Sequence, residues 1–93
     1  MPGTATFGGL ITTLNENNIF VPVPGADVWA YARGGEVYRT RSIQDGTYHF
    51  YNIPPGTYVV YAQAVVNGEV RYVTTEITVG ADERRDDVNL LLN

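Results

Sequence analysis

Between Asp45 and Ala64 the chain reads DGTYHFYNIPPGTYVVYAQA, and this stretch restricts the fold more than any other. Asp45-Gly46 opens it as a turn, because glycine tolerates the positive φ that a tight turn demands. Tyr48 and Phe50 then stand two apart, on one face of a β-strand, where successive side chains alternate. Pro54-Pro55-Gly56 makes a second turn, with prolines that pre-set φ and a glycine free to go left-handed. Tyr58, Val60 and Ala62 repeat the alternation on the next strand. Two strands joined by a compact turn are therefore predicted, both turning their apolar residues into one core. No residue of the stretch is chemically poised.

Strands and turns continue along the rest of the chain, with almost no helical pattern. Residues 5–13 place Phe7, Gly9 and Ile11 on one face, and LNENN (14–18) is a polar loop. VPVPGADVWAYA (21–32) starts as a proline-stiffened entry and becomes a strand with Ala26, Val28 and Ala30 on one face. Arg33-Gly34-Gly35 is a turn before a strand over 36–43. Asn67-Gly68 is a strong hairpin signal that matches a type I′ turn. TEITV (75–79) reads as the next strand, ADERRDD (81–87) as a solvated loop, and DVNLLL (87–92) as a last strand turning Val88, Leu90 and Leu92 inward. About seven short strands at this spacing predict one all-β domain over 1–93, a seven-stranded antiparallel β-sandwich.

Composition removes several function classes. The 93 residues suffice for one core without metals or disulfides. The net charge of −4, with no basic run, disfavours nucleic acid and anionic membrane as partners. No segment reaches the ~18 apolar residues of a membrane-spanning helix, so no membrane insertion is expected. Cysteine is absent, which excludes disulfides and thiolate metal sites. All six basic residues are arginine. Without lysine, neither Schiff-base chemistry nor a lysine-derived isopeptide cross-link can occur. Met1-Pro2-Gly3-Thr4 lacks the charged and apolar regions of a signal peptide, so the chain is either cytosolic or part of a longer precursor, and the second is expected.

Four short motifs in order carry a resemblance. Gly9-x-Ile11, Pro22-Val23-Pro24-Gly25-Ala26-x-Val28, Asp45-Gly46-x-Tyr48-x-Phe50 and Ile53-Pro54-Pro55-Gly56-Thr57-Tyr58 together resemble the carboxypeptidase regulatory-like domain. That family belongs to a prealbumin-like (transthyretin-like) Greek-key group with the collagen-adhesin B-type repeats and starch-binding-like modules. The resemblance implies an accessory module, usually secreted or at the cell surface, that accompanies enzymes, adhesins or receptors. Activities elsewhere in the group fail residue by residue. Adhesin repeats cross-link through a lysine, and there is none. Hydroxyisourate hydrolases use several histidines and a C-terminal Tyr-Arg-Gly-Ser, whereas this chain has His49 alone and ends Leu-Leu-Leu-Asn. Intradiol dioxygenases bind iron through two tyrosines and two histidines.

The remaining chemistry-bearing residues carry no activity. His49 lies between Tyr48 and Phe50 and therefore points outward, as an exposed strand histidine. The acidic cluster Asp82, Glu83, Asp86 and Asp87 could offer oxygens to calcium, but Arg84 and Arg85 sit inside it and the spacing matches no EF-hand loop. Ser42 is the only serine, and no triad can be assembled. The expectation is a non-enzymatic domain without cofactor or metal.

The large aromatics rise above this scaffold. If Ala26, Val28 and Ala30 face the core, Trp29 and Tyr31 face away from it. The same parity turns Val59 and Tyr61 outward beside them, since the second and fifth strands are neighbours in a prealbumin-like sheet. Tyr38 and Tyr72, on flanking strands, are expected to extend the patch. Three readings follow: cross-strand pairs that stabilise the sheet, a surface that docks a neighbouring domain or an identical subunit, and a platform that stacks against the sugar rings of a polysaccharide. The apolar terminal strands, ATFGGLI and VNLLL, add a second expectation, of edges covered by a neighbouring domain or subunit. The expected role is structural or adhesive, extracellular, in a surface protein or filament; carbohydrate binding through Trp29, Tyr31 and Tyr61 is the alternative.

Overall fold

The computed structural model describes residues 3–92. Nine strands form within them: β1 (Ala5–Leu14), β2 (Phe20–Pro22), β3 (Asp27–Ala32), β4 (Val37–Arg41), β5 (Thr47–Ile53), β6 (Gly56–Val66), β7 (Glu69–Val79), β8 (Arg84–Arg85) and β9 (Leu90–Leu92). They build two sheets packed face to face. One runs β4-β3-β6-β7, every pair antiparallel. The other is centred on β1, which pairs antiparallel with β5 and β2 and parallel with β8 and β9.

The alternation read from the sequence sets which side chains meet between the sheets. Phe7 and Ile11 from β1, Tyr48 and Phe50 from β5, Val28 and Ala30 from β3, and Tyr58, Val60 and Ala62 from β6 are all buried, as are Val88, Leu90 and Leu92. Phe7 lies at the centre, its ring 5.0 Å from that of Phe50 and 6.1 Å from that of Tyr58, so it ties the two sheets together. Complete burial of a side chain of this size is worth about 1.5–3 kcal/mol.

Turn chemistry fixes the registers. Asn67 and Gly68 both take positive φ, 52° and 80°, as a type I′ turn requires. The hairpin they close then pairs without interruption from Val66↔Glu69 to Gly56↔Val79. Gly46 has φ 85°, and its carbonyl accepts from the Ile11 amide at 2.8 Å, docking the β4–β5 connection onto β1. Ser42 is buried because it closes the entry to β3: its hydroxyl donates to the Val23 carbonyl (2.6 Å) and accepts from the Ala26 amide (2.8 Å).

The sandwich departs from the sequence reading in four respects. Strands exceed seven, because the proline-stiffened entry contributes β2 and the charged segment 81–87 contributes β8. Residues 69–79 form one continuous strand, since nothing between Thr74 and Thr75 breaks the extended backbone. Pairing is not wholly antiparallel, as β8 and β9 run parallel to β1. Finally, of the two terminal strands β1 is not an edge, and among the described residues only the far side of the three-residue β9 lacks a strand partner. β1 is the middle of its sheet, and β9 lies directly on it through Ile11↔Leu90, Thr12↔Leu91 and Thr13↔Leu92, so these apolar segments cover one another.

Candidate functional site: the outer face of the four-stranded sheet

Every second residue of β3, β4, β6 and β7 points away from the core, and register aligns these residues in rows across the sheet. One row runs Arg39, Trp29, Tyr61, Thr74; the next runs Val37, Tyr31, Val59, Glu76. Trp29 and Tyr61 are half-buried, with ring centroids 5.5 Å apart. Tyr72, diagonal to Tyr61, stacks on it at 5.8 Å with the planes 19° apart. The Arg39 guanidinium lies 5.6 Å from the Trp29 ring centroid, a cation–π contact worth about 0.5–1 kcal/mol at an exposed site. A ladder of π faces therefore crosses all four strands, from a cation on β4 to an exposed tyrosine on β7.

The second row is more open. Val37 is 53% exposed, Tyr31 44% and Val59 42%. These three side chains are aligned neighbours, so their apolar surface is contiguous rather than scattered.

Polar groups border the rings at the β3 start. Asp27 accepts from Arg41 Nε at 2.9 Å and lies 3.6 Å from an Arg39 nitrogen. The Arg41 hydrogen bond, helped by the charges of both arginines, outweighs the opposing effect of burial and holds the Asp27 carboxyl below the usual carboxylate range. Gln63 Oε1 accepts from the Tyr61 hydroxyl at 3.0 Å. These polar side chains thus spend hydrogen bonds on one another.

The structure gathers Trp29, Tyr31, Val59, Tyr61 and Tyr72 on one face, as the parity argument expects. Tyr38 is the exception. It pairs with Ala30 and turns to the core side, where it packs against the buried cluster with its ring 6.0 Å from that of Tyr58. Its hydroxyl donates to Glu36 Oε2 at 2.7 Å, and that hydrogen bond raises its pKa to about 12. The small Ala30 opposite leaves room for the ring. Val37, Arg39 and Arg41 take the outer positions instead, and their spacing of two beside two arginines was the available signal.

Other features are accounted for locally. His49 faces outward from the second sheet and stacks on Tyr51 at 5.4 Å, with Asp86 3.6 Å away. The acidic cluster is engaged: Asp86 with Arg84 at 3.1 Å, Asp87 with Arg85 at 3.7 Å, and Glu83 with the Gly80 amide at 2.7 Å. A cleft of about 220 Å3 at one end of the sandwich is lined by Arg33, Glu36, Pro54, Pro55 and Tyr58, among others. The Tyr58 hydroxyl in it donates to the Pro54 carbonyl.

Among curated proteins, none matches the sequence. A solved structure from Pseudomonas aeruginosa, of a protein proposed to bind carbohydrate, superposes with a TM-score of 0.68 at 15% identity, covering 98% of this chain and 88% of its own. At that identity the likeness is one of fold. The model of the carboxypeptidase regulatory-like domain matches residues 9–92, the span that holds the paired turns, the inward Tyr48, Phe50 and Tyr58, and the outer aromatic ladder, and the chain belongs to that family.

Proposed function

We propose that this domain is a non-enzymatic accessory module, acting outside the cell, whose task is to pack against protein through the outer face of the β4-β3-β6-β7 sheet. The observation that carries the reading is the aligned row Val37, Tyr31, Val59 beside the ladder Trp29, Tyr61, Tyr72. Aromatic residues at a buried centre and arginine beside them are the composition of protein-binding hot spots. The valines favour protein over sugar, because aliphatic side chains offer a sugar neither a flat π face nor a hydrogen bond. The polar neighbours are already engaged, Asp27 with Arg39 and Arg41 and Gln63 with the Tyr61 hydroxyl, which leaves them less free to bind hydroxyl groups.

A second reading is supported by the stacked pair Tyr61 and Tyr72 with Trp29, and by the Pseudomonas aeruginosa fold relative proposed to bind carbohydrate. In it the same ladder stacks against the rings of a polysaccharide.

Sedimentation velocity from micromolar to millimolar concentration separates the two, run beside affinity gels containing soluble starch, cellulose derivatives or chitosan. The isolated domain is expected to self-associate, and Tyr31→Ser with Val59→Ser to weaken that association about tenfold or more, the equivalent of ~1.4 kcal/mol. No gel is expected to retard it. A monomer at every concentration, retarded by one polysaccharide and released by Trp29→Ala, would replace the protein reading with the carbohydrate one.

A further inference from the structure

The two edges of the four-stranded sheet differ in kind. β4 has five residues, of which Arg39 and Arg41 project from the outer face as exposed charges. Short length and charge are the usual guards of an edge. β7 has eleven residues, no proline, and an unbroken register with β6, whereas the β1–β5 pair carries a register shift between Ala5 and Phe7. Among the described residues, β7 pairs only with β6, and the backbone hydrogen bonds outside the strand ladders involve none of Glu69–Val79. In an antiparallel ladder alternate residues turn their amide and carbonyl groups away from the partner. β7 therefore presents a long row of unpaired main-chain donors and acceptors.

Inward charge, another edge guard, is neutralised here. The Arg71 guanidinium is drawn across the sandwich to Thr13 Oγ1 at 3.0 Å and lies 3.7 Å from Glu69. On the outer face of the same strand Glu76 is the one charge, while Val70 and Tyr72 are 60% and 57% exposed, so apolar surface accompanies the open backbone.

We infer that β7 pairs antiparallel with β7 of a second copy about a twofold axis at Thr74, joining two four-stranded sheets into one of eight strands. A second copy fits because the strand is self-complementary. Thr74 is its central residue, so this register alone pairs all eleven residues. Core-side residues then meet core-side residues, as sheet continuity requires. Val70 faces Thr78, Arg71 faces Ile77, Tyr72 faces Glu76 and Val73 faces Thr75, so no like charges oppose. A register centred on Arg71 would set two arginines against each other. The twofold pairing is isologous and closes, and it carries the aromatic ladder to the junction through Tyr72. The inference stands on the sheet edge and not on its face, so it requires neither Tyr31 nor Val59, and a dimer that persists when both are replaced separates it from the docking reading.

Engineered cysteines test it cleanly, since the chain contains none of its own. Directly opposed residues of an antiparallel pair have Cα atoms about 4.5–5.5 Å apart, inside the ~4.4–6.8 Å range of disulfides. Thr74 and Thr78 are both exposed. Thr74→Cys is expected to give a covalent dimer under mild oxidation, even with Tyr31→Ser and Val59→Ser present. Thr78→Cys alone is expected to stay monomeric, yet to cross-link when mixed with Val70→Cys. The inference is overturned if Thr74→Cys stays monomeric up to millimolar concentration, or if Thr74→Cys and Thr78→Cys cross-link equally, as random collision would have it.

Discussion

Phe7→Ala is expected to remove about 3–5 kcal/mol of stability, a large part of the ~5–15 kcal/mol that holds a small domain folded. The ring is completely buried and touches residues of both sheets: Phe50 from the neighbouring strand and Tyr58 from across the core. Its loss leaves a cavity walled by Phe50, Tyr58 and their neighbours. These are held by backbone ladders on opposite sides, so the walls cannot close. Two aromatic contacts disappear as well, each worth about 0.5–1.5 kcal/mol beyond area. Urea unfolding followed by tryptophan fluorescence should show the midpoint lowered by about 2 M or more, for an m-value of ~1–2 kcal/mol/M. Phe7→Leu, which keeps most of the volume, should cost less than half as much. Equal losses for the two variants would mean that packing at this position is not what joins the sheets.

Gly9→Ala should cost about 2–4 kcal/mol by the opposite route, overpacking together with a lost buried hydrogen bond. A Cβ on Gly9 would stand 2.2 Å from the Val88 carbonyl oxygen and 2.4 Å from its carbon. Both are main-chain atoms, fixed because the Val88 amide donates to the Gly8 carbonyl at 3.0 Å and the same Val88 carbonyl accepts from the Tyr48 hydroxyl at 2.6 Å. Burial raises the pKa of that phenol, keeping it a donor. Alanine therefore pushes the segment leading into β9 off β1 and breaks the Tyr48 bond with it. Amide exchange should accelerate most over Leu90–Leu92. Because Tyr48→Phe removes the same hydrogen bond, its combination with Gly9→Ala should cost less than the sum. An unchanged unfolding midpoint for Gly9→Ala would remove this close approach from the account.

The contrast between these two positions shows what alternation can reveal. Phe7, Gly9 and Ile11 announce one face by their spacing, and Phe7 and Ile11 are core on that ground alone. The reason for glycine at position 9 lies seventy-nine residues away, in the main chain of Val88, and so is absent from the local pattern. The outer ladder was legible because period two fixes both faces of a strand once one is known: Val28 and Ala30 inside place Trp29 and Tyr31 outside. On β4 the apolar residues gave no anchor, because Val37 and Tyr38 are both apolar, and only Arg39 and Arg41, which share the parity of Val37, marked that face as the outer one. Ala30, directly opposite, decides for Tyr38 by leaving space for its ring. β8 was illegible for a different reason. Two arginines become a strand only through pairing with Thr6 and Phe7, a long-range contact with no local signature. The same holds for the parallel seating of β9 on β1, which turns two apolar terminal segments from candidate docking edges into partners.

In the two proposals, protein covers both the strand edge and the aromatic face. Pairing along β7 extends the sheet sideways, whereas packing on Trp29, Tyr31, Val59 and Tyr61 covers it from above, so the two contacts are compatible in one assembly. Tyr31 reports on the face without involving β7, and Tyr51, exposed on the opposite sheet, is the internal reference. Hydroxyl-radical footprinting of both tyrosines across rising protein concentration is thus the most direct measurement. Oxidation of Tyr31 is expected to fall several-fold relative to Tyr51 as the domain associates, and to be unaffected by soluble polysaccharide. A Tyr31 that stays as reactive as Tyr51 up to millimolar protein, or that only a polysaccharide protects, would contradict the claim that protein packing is what this face is for.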